Sequence, residues 1–149
     1  MTDIRFKTPD GVFNLCAIAV IIREGKVLMV KGSDSGKHYP VGGHVQLGET
    51  SEQAVVRECL EETGVNYEVE RLLFVCEDFF TYDGQPSHSV EFYYLMKPNS
   101  AEPNRLTDNG EELVWLPVNA IDNLLFPEFF KTELQNLPDS VKHIIIWRD

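Results

Sequence analysis

The sequence predicts an α/β domain layered on a mixed β-sheet. Three observations point there. Apolar, β-rich runs lie both before and after one long helical stretch. That stretch carries a cap signal at its start and a glycine at its end. The last quarter of the chain reads as short helices and an apolar tail. At 149 residues, 43% hydrophobic and 25% charged, the chain suits one globular domain over positions 1–149 with its own core.

The elements follow in order. Phe13 to Ile22 is a near-continuous apolar run and reads as a buried strand. Glu24-Gly25-Lys26 is a tight turn, and Val27 to Val30 returns as a second strand, so a hairpin is expected. Lys31 to His38 is a polar loop. Tyr39 to Gly48 holds Pro40, Gly42, Gly43 and Gly48, which permits only short extended pieces and turns. Thr50 or Ser51 is a suitable N-cap for a helix that runs to Thr63 and stops at Gly64. Tyr67 to Phe80 is β-rich, Tyr82 to Pro86 is a turn or loop, and His88 to Met96 is another strand. Ala101 to Gly110 is a polar loop. Leu113 to Val118 reads as a short strand and Asn119 to Leu125 as a short helix. Pro127 suits the first position of a second helix ending near Leu137. The apolar tail from Val141 to Trp147 is expected to dock on the body.

The formal net charge is −11. Such a surface repels nucleic-acid backbones and anionic membranes, so neither is expected as a partner. No apolar run reaches membrane-spanning length, and MTDIRFKTPDG lacks the apolar stretch of a signal peptide, so a cytoplasmic location is expected. Cys16, Cys59 and Cys76 have neither disulfide nor zinc spacing and read as small buried hydrophobes. An acidic protein that handles an anionic phosphate compound needs something to cancel the repulsion, and a divalent cation can do so.

The helix carries Glu58, Glu61 and Glu62. At about 100° per residue they fall on one face, while Val55, Val56, Cys59 and Leu60 are expected to face the core. Like charges at this spacing destabilise a helix by roughly 0.2–0.5 kcal/mol per pair. The helix dipole also disfavours them in the last turn. A bound cation would remove that cost. Alone, the triplet reads first as a solvated acidic face.

The surrounding spacing decides. Gly43 to Val65 resembles the Nudix box, G-x5-E-x7-R-E-U-x-E-E-x-G-U, where U is a bulky apolar residue. Gly43, Glu49, Arg57, Glu58, Glu61, Glu62 and Gly64 supply all of its fixed identities, and Val65 the second U. At about 7% usage per identity, a chance match at one start position is on the order of one in 10⁸. The match departs from the pattern at Cys59, where an aliphatic residue is usual, and at Val41-Gly42-Gly43, where Pro-Gly-Gly is common.

The resemblance implies a Nudix-type α/β/α sandwich and a loop–helix–loop that holds Mg²⁺, with Mn²⁺ as the alternative ion. It implies Glu58 and Glu62 as metal ligands, Glu61 as a further ligand or a water-orienting group, and a contribution from the Gly42 carbonyl. Arg57 and Glu49 would brace loop against helix. Glu58 is the expected general base, with Glu111 and Glu112 as alternatives. Lys37 and these two acids are the candidates for substrate contact outside the box. The implied reaction is water attack at phosphorus in a nucleoside diphosphate linked to another moiety, either a nucleoside triphosphate or an ADP-ribose-like compound. The partner is then a small nucleotide-type molecule, and the family also suggests a homodimer. A non-catalytic nucleotide-sensing module on the same fold is the alternative.

Overall fold

The computed structural model describes residues 1–148. In chain order it contains β1 (Arg5–Thr8), β2 (Gly11–Val20), β3 (Ile22–Arg23), β4 (Lys26–Lys31), β5 (His38–Pro40), β6 (Gly42–His44), α1 (Ser51–Thr63), β7 (Val69–Tyr82), β8 (Gln85–Met96), β9 (Glu112–Pro117), α2 (Phe130–Glu133) and β10 (Lys142–Trp147).

Two sheets form. The larger has the order β1-β2-β8-β7-β10, with β6 sharing the free edge of β2. It is mixed: β2–β8 and β7–β10 are parallel, and the other pairs antiparallel. The smaller sheet centres on β4, which pairs with β3, β5 and β9. The expected first hairpin is therefore displaced. The run from Phe13 belongs to the large sheet only to Val20. It then changes sheets, and Ile22–Arg23 pairs with Val27 and Lys26. The turn residues Glu24 and Gly25 both have positive φ, 52° and 74°, as a two-residue hairpin turn requires.

Side chains alternate across β2 and so build two cores. Ala17 and Ala19 pack with Leu28, Val30, Tyr94 and the buried face of α1. Ile18 and Val20 pack with Val27, Met29, Phe74, Tyr93, Phe130 and Leu134 on the opposite side. Helical layers thus cover both faces of the sheet, which is the expected α/β/α arrangement. Among the described residues, no helix is long and apolar enough to cross a membrane.

Two further expectations need correction, while the tail docks on the body as expected. Asn119–Leu125 is not helical. Asn123 takes φ 49°, and His38 and Leu125 exchange backbone bonds around it (His38 N to Asn123 O 2.9 Å, Leu125 N to His38 O 2.7 Å), so this segment lines β5. The second helix is only Phe130–Glu133, because residues 127–132 are closed by tight i→i+3 bonds and Pro138 follows. The tail forms β10, whose Ile144 and Ile146 join the core while Ile145 and Trp147 stay exposed.

Candidate active site

Helix α1 begins with a capping box. Thr50 Oγ1 accepts from Gln53 N, and Thr50 N donates to Gln53 Oε1, both at 3.0 Å. It ends at Gly64, with φ 76°. Ala54, Val55, Cys59 and Thr63 are the buried residues. Leu60, expected in the core, is 49% exposed. The i, i+4 row through residues 55, 59 and 63 carries the contact, and Thr63 is tolerated there because its hydroxyl donates to Cys59 O at 2.7 Å.

Opposite that row, Arg57 organises the acidic side. Its Nε and Nη2 bond both Glu49 oxygens at 2.7 and 2.9 Å, and Nη2 also reaches His44 O at 3.0 Å. Nη1 reaches Glu58 Oε1 at 3.0 Å and Glu61 at 3.3 Å. Glu49 accepts in addition from Gln46 N at 3.0 Å. The Arg57 hydrogen bond holds the Glu49 carboxyl below its ordinary range. Helix and preceding loop are thus locked by one guanidinium.

Glu58 and Glu62 come together, whereas Glu61 remains about half exposed beside Arg57. Burial raises the Glu58 carboxyl. Burial, followed by the charge of Glu58, pushes Glu62 up to about 9. Gly42 N donates to Glu62 Oε2 at 3.0 Å, so the contact seen at Gly42 is through its amide. No group of three or more His, Cys, Asp and Glu side chains is gathered for a metal among the described residues. The two-carboxylate, all-oxygen set still suits Mg²⁺, which is commonly held by one or two carboxylates together with substrate phosphates.

Gly42 and Gly43 also line a cleft of about 770 Å³ on the α2 side of the large sheet. Asn14, Cys16 and Glu91 contribute to its lining, as do Tyr39, Phe80, Phe126 and Arg148. Cys16 is only partly buried, a correction to its expected place in the core. The polar cleft interrupts the apolar series of β2. Burial, then the charges of Glu91 and Glu58, push its thiol up to about 12, which leaves Cys16 unsuited to act as a thiolate.

The remaining candidates are scattered. Lys37 is exposed in the turn before β5 and is absent from the cleft lining, since that turn closes on itself through Gly32 N to Lys37 O at 2.9 Å. Glu111 is tied to Tyr39 Oη at 2.5 Å and Ser33 N at 3.2 Å. Glu112 is exposed at the start of β9. Sequence reasoning overlooked Asp108, whose charge acts on Glu62. It also missed Arg148, which forms a bidentate pair with Asp78 at 3.0 and 2.8 Å. Asp108 lies in a loop and Arg148 in the tail, where no periodic signal marks them.

A mixed-sheet α/β/α domain whose cleft opens beside a loop–helix–loop of carboxylates defines the class. The chain belongs to the Nudix family: the NUDIX domain model matches residues 13–136. A MutT-like protein of Streptomyces ambofaciens is 26% identical over 145 residues, covering 97% of this chain and 90% of that protein. MutT4 of Mycobacterium tuberculosis is 34% identical over 83 residues, 56% of this chain, and the chain spans 34% of that protein's length. The crystal structure of a MutT Nudix hydrolase from Burkholderia pseudomallei superposes with a TM-score of 0.60 at 29% identity, covering 85% of this chain and 98% of the other.

Proposed function

We propose that this protein is a Mg²⁺-dependent pyrophosphohydrolase that cuts the diphosphate bridge of a nucleoside diphosphate linked to another moiety. One observation carries the reading: the partly buried pair Glu58–Glu62 abuts Gly42 and Gly43, which also line the large cleft. A phosphate chain at the Gly42–Gly43 end of the cleft would lie next to the strand that both carboxylates touch.

Glu58 and Glu62 would hold the cation, with Mn²⁺ as a substitute. When bound, the cation supplies charge neutralisation on the phosphates and a more acidic water. The protein's own groups do the rest. Arg57 orients Glu58 through Oε1, and the Glu58 carboxylate would take a proton from the attacking water. The water oxygen bonds to one phosphorus, the bridging P–O bond breaks, and the departing phosphate keeps the electron pair. The domain spanning 1–149 would act in the cytoplasm, and a homodimer is compatible with the fold.

The test is turnover of a panel of nucleoside triphosphates, ADP-ribose and dinucleotide polyphosphates, with and without Mg²⁺. Glu62→Gln should lower kcat/KM by about 10²-fold or more. Full activity in that variant, or no product from any compound, would overturn the reading.

A further inference from the structure

Buried polar groups lie at and just behind the cleft wall on the neighbouring strands β7 and β8: Ser87 and Glu91 line it, and with Ser89 and Asp78 each is less than a tenth exposed. Among the described residues, one guanidinium meets this group. Arg148 Nε and Nη2 donate to the two oxygens of Asp78, whose side chain is 3% exposed. Its Cζ lies 4.4 Å from the Phe80 ring centroid and 5.5 Å from that of Phe126. Two aromatic faces and a buried carboxylate therefore fix the plane of Arg148.

We propose that Arg148 is a specificity-determining residue that reads the base of the nucleotide, with Asp78 as its positioning residue, and that the preferred base is a purine offering two adjacent acceptors, O6 and N7. The proposal rests on the nucleotide-hydrolase reading above. It follows from donor accounting. One edge of the guanidinium is spent on Asp78. The remaining Nη1 and Nη2 hydrogens form a second pair of parallel donors. Guanine presents O6 and N7 to such a fork, whereas adenine presents N7 beside an amino donor.

Distance favours the base over the phosphates as the target. Asp78 stands on β7. From β6, where Gly42 and Gly43 meet the carboxylates, three strand steps across β2 and β8 lead to it. At the usual interstrand spacing that is about 14 Å. A nucleoside diphosphate with its phosphates at β6 would bring its base towards β7. Glu91 supports the arrangement from below. Tyr93 Oη donates to its Oε1 at 2.8 Å, and burial, with the Asp78 charge next, raises its carboxyl to about 8. Near neutral pH it leaves Arg148 to Asp78.

The experiment is calorimetric binding of GDP, 7-deaza-GDP and ADP to the whole protein, with hydrolysis of the matching triphosphates, read as nucleotide together with phosphate or pyrophosphate products, measured alongside. A lost bidentate pair corresponds to roughly 5- to 150-fold in affinity, so GDP should bind that much more tightly than ADP. Replacing N7 should remove a large part of the difference. Arg148→Lys and Asp78→Asn should each collapse the guanine-to-adenine ratio towards one. Equal affinities for GDP and ADP, an unchanged ratio in Arg148→Lys, or no binding of either nucleotide would overturn the proposal. If a variant fails to fold, the 7-deaza comparison on the native protein decides. Guanine-selective binding without hydrolysis would instead reject the hydrolase reading and leave this one standing.

Discussion

Gly43 lies against the Glu58 carboxylate: a Cβ built on residue 43 would stand 2.5 Å from Glu58 Oε1 and 2.6 Å from its Cδ. The missing side chain is thus what admits the carboxylate to the cleft edge. Gly43→Ala should push Glu58 aside. Since the obstructed atoms are the flexible end of a side chain, the fold should survive. A displacement near 1 Å at a catalytic group costs about 10²-fold. The expected result is a loss of that order in kcat with little change in melting temperature. Unaltered kcat in Gly43→Ala would mean that Glu58 works from another position.

That contact also shows which parts of the site could be read from sequence. Cap, carboxylates and terminal glycine of α1 lie within one continuous stretch, so local spacing alone orders them. The cleft does not. Asp78, Glu91 and Arg148 meet only through strand register, and nothing in their neighbourhoods announces it. β1 was missed because all four of its residues are exposed and carry no alternating apolar pattern. Asn119–Leu125 looked helical, yet its backbone found partners at His38 instead. Local propensity yields where a neighbouring strand offers better-placed hydrogen bonds.

Arg57 is the brace whose removal should affect both stability and rate. It forms a fork with Glu49 and further bonds to Glu58 and His44 O. Charge-assisted bonds of this kind contribute about 1.5–3 kcal/mol each where partly buried. Arg57→Lys keeps the charge but cannot make the fork. It should lose about 2 kcal/mol of stability and lower kcat more than it raises KM. Urea midpoints and steady-state rates check both. A variant with native stability would show the brace to be dispensable.

Asp108 should matter to the reaction although it lies outside the box. It is exposed in a tight turn, closed by Thr107 N donating to Glu111 O at 2.7 Å and Gly110 N to Thr107 O at 2.9 Å. Its charge opposes ionisation of Glu62, and a shared cation would turn that repulsion into joint coordination. Asp108→Asn is therefore expected to raise the Mg²⁺ concentration needed for half-maximal rate by about tenfold or more, the range seen when metal-supporting groups are lost. Glu111→Gln, which only loosens the links to Tyr39 and Ser33, should do so less. Equal Mg²⁺ dependence in the native protein and Asp108→Asn would remove Asp108 from the site.

Glu91 gives the fold a pH signature that can be isolated by one substitution. Burial, with Asp78 beside it, raises its carboxyl from 4.5 to about 8. Between those values the folded protein keeps a proton that the unfolded chain has released. Stability must then fall as pH rises through that window, by up to about 1.4 kcal/mol per unit, and level off above it. The groups facing Glu91 do not confuse the reading. Tyr93, Cys16 and Cys76 are all raised by burial beyond the window, and the pair Asp78–Arg148 is common to both proteins. Glu91→Gln keeps an acceptor for the Tyr93 hydroxyl and cannot ionise. Its urea midpoint should therefore gain on that of the native protein steadily from pH 5 to pH 8, while other titrations, including that of Glu62, cancel in the difference. Parallel profiles for the two proteins would show that Glu91 ionises in the folded state as easily as in water, and that the cleft floor is wetter than its burial implies.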